Sequence, residues 1–227
     1  MNSKKKNSAD SALKKLSILD NKQLDMLLRM LNAYQSKFYP VDVLAVAALN
    51  RSTALCKGFY GLIEQKNFIC AASILRLQLD NAFRFASVFL VSNPHAFASS
   101  IMNGKRIGDF KDKSGKLMTD GYLVTQMSKK YPWITKVYET TCGYIHLSDQ
   151  HILHAIESRK DDETFVLKMS ATDEHLAEES FVEAIEAFCA ATEVFHYYIE
   201  GWIYSKANPK LMAKIREAKQ RNMAPNE

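Results

Sequence analysis

The stretch Phe68–Val91 reads FICAASILRLQLDNAFRFASVFLV, and its pattern decides the fold. At 100° per residue, Ser73, Arg76, Asp80, Arg84 and Ser87 fall within an arc of roughly 80°, and almost everything outside that arc is apolar. Such a segment is a helix buried around most of its circumference. It is also the most apolar part of the chain, yet each of its three charges would cost a few kcal/mol in a bilayer core, so it reads as a core helix and not a membrane span. Charges are seldom buried unpaired. Asp80 is therefore expected between Arg76 and Arg84, each four residues away on the same face. The resulting ladder either faces a polar seam or solvent, or presents its arginines to an anion such as a phosphate.

Helical spacing continues on both sides. Leu24, Leu27, Leu28 and Leu31 mark a helix over about Lys22–Phe38 that Pro40 ends, and about Asp42–Gln65 reads as a mostly buried helix. Downstream, Pro94 opens a short helix to about Met102, Asn103–Gly121 reads as a loop, and helices are expected over about Tyr122–Lys130 and Pro132–Ser148. The last long helix, about Glu174–Tyr204, carries an acidic stripe opposite a wall of Phe181, Ile185, Phe188, Phe195, Ile199 and Trp202. The expected fold is all-α: a single-domain bundle of five to six main helices, with one short extended segment near 163–169. Residues 1–20 are expected to be a disordered basic N-terminus, 21–205 the bundle, and 206–227 a basic C-terminal helix and tail.

The composition suits a globular chain: 227 residues, 47% hydrophobic and 24% charged. Cys56, Cys70, Cys142 and Cys189 form no CxxC pair and read as small packing residues. Lys4, Lys5 and Lys6 precede polar residues, not the apolar run of a signal peptide, so a cytoplasmic protein without membrane contact is expected. The net charge of +5 is uneven, with +5 on residues 1–40 and +4 on 205–227, which leaves −4 for the middle. Basic ends of this kind can attract RNA or another nucleic acid, or serve as solubilising tails.

Chemistry concentrates in Tyr144-Ile-His-Leu-Ser-Asp-Gln-His-Ile-Leu-His154, where three of the six histidines sit beside Asp149. Their spacing matches no strong metal pattern, so neither a metal nor a cofactor is expected. The Gly-Lys pairs of the preceding loop do not form a phosphate-binding loop: Gly108 and Gly115 are separated by six residues, and Leu117 stands where Ser or Thr is required. A histidine that moves a proton beside an arginine that stabilises an anionic phosphorane is sufficient for metal-free RNA cleavage. On that logic His146, His151 and Arg76 are the candidate catalytic groups, and Arg84, Asp80, Tyr144, Ser148 and Asp149 the candidate binding groups.

Ala71–Asp80, Asp112–Gly121 and Tyr138–His151 resemble uncharacterised bacterial all-helical proteins related to the HEPN-like bundles, over about residues 40 to 205. The resemblance implies a helical bundle acting in bacterial defence or stress. HEPN relatives include metal-independent RNases and also members that serve only as binding modules. Catalytic members carry an Arg followed four to six residues later by His, a pair absent from this chain, so no catalytic role transfers by motif. The leading expectation is an interaction or nucleic-acid-binding module. The alternatives are a ribonuclease built on the histidine cluster and a helical oligomerisation scaffold, a homodimer paired through an apolar face such as Phe181–Trp202.

Overall fold

The computed structural model describes residues 2–159, 164–210 and 213. Its described residues form eight α-helices: α1 (Asn2–Asn32), α2 (Pro40–Glu64), α3 (Phe68–Ala86), α4 (Pro94–Met102), α5 (Asp120–Ser128), α6 (Trp133–Ile145), α7 (Asp149–Ala155) and α8 (Glu178–Ala207). Four long helices close a ring in the order α1, α2, α3, α8. α2 runs antiparallel to α1 and α3, as the links Gln23 to Cys56 and Asn81 to Ala48 require. α8 runs parallel to both α1 and α3, since Lys15 meets Glu193 while Arg29 meets Glu200, and Phe68 meets Phe181 while Phe85 meets Phe195. The crossover from α3 to α8 makes that direction possible, and it contains α4 to α7 and a hairpin of β1 (Ile156–Arg159) and β2 (Phe165–Leu167).

Local chemistry sets most boundaries. Pro40 and Pro94 occupy first-turn positions where a missing N–H costs nothing, Asn67 caps α3 by accepting from the Cys70 amide, and Asn93 does the same for Ala96. The core is dominated by aromatic and aliphatic contacts such as Phe59 stacked on Phe188 with centroids 4.1 Å apart. Across its centre Gln78 donates to Ser52 on α2 and Thr192 on α8, a polar bridge that fixes the register of three helices. No helix among the described residues is long and apolar enough to cross a membrane.

Several expectations need correction. α1 begins at Asn2, where an irregular terminus was expected. Leu16 and Leu19 are 1% and 5% exposed, because Ala12, Leu13, Leu16 and Leu19 form a stripe that packs on α8. Lys206, expected in the basic C-terminal segment, lies buried in α8; residues 211, 212 and 214–227 of that segment fall outside the described residues. The extended segment near 163–169 includes β2, and its antiparallel partner β1 was not foreseen. The wall from Phe181 to Trp202, offered as a dimer face, is the inside of the bundle. Of the cysteines, Cys56 and Cys189 are buried, with burial pushing their thiols up to about 12 and about 11, whereas Cys70 is exposed.

One buried group in the α1–α8 seam titrates within reach. His196 is 6% exposed, its Nε2 has no hydrogen-bond partner, and desolvation, aided by Lys22, lowers its pKa to about 4 against the pull of Glu200 and Glu193. A lowered histidine pKa favours the neutral ring in the fold. Its contribution to stability is present above the unfolded value near 6.5 and is lost as pH falls toward 4, at a steepest rate of about 1 kcal/mol per pH unit. Urea titrations at stepped pH should show His196→Leu with about one proton less in this slope; an identical slope in the variant rules the account out.

Candidate functional site

The polar face of α3 points toward α6. Ser73 donates to the Tyr144 carbonyl at 2.8 Å, and the Arg76 guanidinium lies over the Tyr138 ring, 3.8 Å from its centroid. These two contacts set α6 antiparallel to α3. The pairing along the seam differs from the expected ladder. Asp80, only 15% exposed at its side chain, accepts from Arg84 at 2.8 Å and from Arg51 of α2 at 3.3 Å, while Arg76 turns to the aromatic ring. Arg84 also donates to Asp120 at the start of α5. Desolvation opposes the charge on Arg84, but the hydrogen bond and fields of Asp80 and Asp120 outweigh it and raise its pKa. Arg51, Asp80, Arg84 and Asp120 thus form one network of cations and carboxylates, in which an incoming phosphate would compete with anions already in place, while the buried Nε of Arg76 has no hydrogen-bond partner among the described residues.

The histidine segment is divided by the structure. His146 ends α6 as an exposed C-cap, Ser148 caps α7 by accepting from the Gln150 amide, and Asp149 opens that helix. His151 completes the capping box by accepting from the Ser148 backbone N–H at 3.4 Å. Tyr138 and His146 are eight residues apart, so the ring under Arg76 and the end of α6 lie roughly 12 Å apart along the axis. Arg76 and His146 are therefore placed over different turns of α6.

His154 is the histidine drawn into the bundle. Its side chain is 7% exposed, with Nδ1 3.0 Å from Asp173 Oδ1 and Nε2 3.1 Å from the Tyr144 hydroxyl. Asp173, itself buried, accepts through Oδ2 from the backbone N–H groups of Phe68 and Ile69, the first residues of α3, at 2.8 and 3.2 Å. The carboxylate thus neutralises the positive end of the α3 dipole and orients an imidazole at the same time. His175 follows two residues later, its ring 6.1 Å from that of His154 and its Nδ1 2.9 Å from Lys168 Nζ. Sequence reading picked out Tyr144 and Ser148 in this region but missed Asp173 and His175; the one available signal was an Asp-x-His triplet placed just before the last helix.

No protein-family model, no curated protein and no solved structure matches this chain.

Proposed function

We propose that this protein is a HEPN-like helical interaction module that acts as a dimer of identical chains, paired across the groove between α1 and α2. One observation carries the reading: α1 is apolar on two faces. The first, with Leu16, Leu19, Met26 and Met30, is buried in the bundle. The second holds Leu24 and Leu28 in solvent at 64% and 51% exposure, and Leu24 borders an open groove of about 740 Å3 lined also by Leu27, Phe38, Val43 and Val46. A helix that is apolar on both sides belongs inside an assembly. Leu24 and the 61%-exposed Phe38 stand out from the walls of the same groove, so one patch both projects and receives, as a two-fold contact between identical surfaces requires.

Charge argues for a protein occupant and against nucleic acid. Asp20 is the one charged residue lining the groove, and the arginines Arg51 and Arg84 of the α3 seam are already engaged by Asp80 and Asp120. The module belongs with the binding members of the HEPN-like group, in bacterial defence or stress. Light scattering tests it: the chain should run at twice its 25.8 kDa, and the double variant Leu24→Asp, Leu28→Asp at 25.8 kDa with its helical circular dichroism intact. A wild-type monomer at about 100 µM, well above the micromolar range of weak specific association, sinks the proposal, as does a dimer that survives the double substitution. RNA degradation in EDTA that depends on His146 or His151 would replace it with the enzyme reading.

A further inference from the structure

We infer that His154, Asp173 and His175 form a binding site for a divalent transition-metal ion of the zinc class, which fastens the segment from α7 to the start of α8 onto the N-terminus of α3. One ligand atom from each of the three residues lies within 4.8 Å of the others. Ligand atoms held tetrahedrally at about 2.0–2.1 Å from zinc sit roughly 3.3 Å from one another. His154 Nδ1 and Asp173 Oδ1, at 3.0 Å, are already at that spacing. His175 alone has to close in, and it is the exposed member of the set. Two imidazoles and one carboxylate suit zinc or cobalt, not the all-oxygen shells of calcium or magnesium.

The surroundings are those of oriented ligands. Both N–H donors from the start of α3 engage Asp173 Oδ2, which leaves Oδ1 facing the site, and the Tyr144 hydroxyl holds His154 Nε2. Without an ion, His154 Nδ1–H donates to Asp173 and Nε2 accepts from Tyr144. With an ion on Nδ1, the ring proton resides on Nε2 and donates to the tyrosine oxygen. A hydroxyl serves either role, so the exchange needs no net gain or loss of protons. Lys168, whose ammonium meets His175 Nδ1, lies at the exposed side and withdraws when a cation arrives. That side is also the entry path, and it leaves a fourth coordination position open to water.

The segment has use for such a fastening. α7 contributes no buried apolar side chain, and Leu147, Ile152, Leu153, Leu167 and Met169 are all more than 60% exposed. A metal contributes folding free energy where a core of this kind is absent. The inference is independent of pairing at α1–α2, since either can fail while the other stands.

The test uses the full-length chain stripped with chelator, titrated with ZnCl2 by calorimetry and with CoCl2 in the visible range. One ion per chain is expected, with the d–d absorption of tetrahedral cobalt. His175→Ala, at an exposed position that leaves the helical circular dichroism unchanged, should weaken zinc binding at least tenfold, and Tyr144→Phe, acting through the orientation of His154, about tenfold. Absence of a stoichiometric ion overturns the inference. So does unchanged affinity in both His175→Ala and Asp173→Asn, which would assign the binding to other surface groups.

Discussion

Replacing Asp42 by alanine should destabilise the protein by about 4 kcal/mol, the cost of removing one partner of a buried ion pair. Asp42 and Lys206 are fully buried, with Nζ 2.9 Å from Oδ2. The carboxylate also accepts from the Trp202 indole at 2.8 Å and from the Tyr39 backbone N–H at 2.8 Å, and Lys206 donates to the Met30 carbonyl. This one group ties the end of α1, the start of α2 and the end of α8. Alanine leaves an ammonium, an indole N–H and an amide without their acceptor in a space closed to water, and each orphan adds its own desolvation cost. Lys206→Met is the milder change, at about 2 kcal/mol, because Asp42 keeps two of its three donors. In the double variant Asp42→Ala, Lys206→Met the charges vanish together, so its loss should fall well below the sum of the single losses. Urea denaturation measures all three, and a loss under 1 kcal/mol for Asp42→Ala would show that water reaches the pair.

The contrast between what the sequence discloses and what it hides follows from range. Pro40, read as the end of the helix before it, lies in the first turn of α2, whereas the starts of α3 and α4 could be read because their determinants, Asn67 and Pro94, act within one turn of themselves. The first twenty residues could not. Their lysines and serines have the composition of a solvated tail, and the stripe through Leu13, Leu16 and Leu19 gains its meaning only once α8 lies against it. The hairpin failed for a similar reason, since β1 is stabilised by pairing with a segment nearly ten residues away. At the candidate site the 80° arc of α3 was legible and its partners were not. Nothing in the spacing tells Arg76 to prefer the Tyr138 ring to Asp80, four residues away, and nothing links His154 to an aspartate nineteen residues downstream. Those choices belong to the packing of α6 on α3 and to the return of the crossover.

Asp173→Ala is expected to cost about 3 kcal/mol and to act locally before it acts globally. Two of the four orphan amides at the start of α3 rely on this carboxylate, as does His154 Nδ1. The Asp173 backbone, through its own N–H on the Lys66 carbonyl, keeps the chain in place after the side chain is gone, so the variant should still fold. What it loses is the link between α7 and the bundle. Because α7 contributes no buried apolar side chain, little else holds it, and its amides together with those of Phe68 and Ile69 should exchange hydrogen markedly faster than in the wild type. Asp173→Asn separates charge from shape. Its carbonyl oxygen can still receive the two backbone donors, and its NH2 can donate to His154 Nδ1 if the ring carries its proton on Nε2, so a loss of only about 1 kcal/mol is expected. Equal losses in the two variants would mean that the negative charge at the α3 terminus matters more than the hydrogen bonds. Unchanged exchange in α7 would mean that the segment is held by something other than the histidine it sends into the bundle.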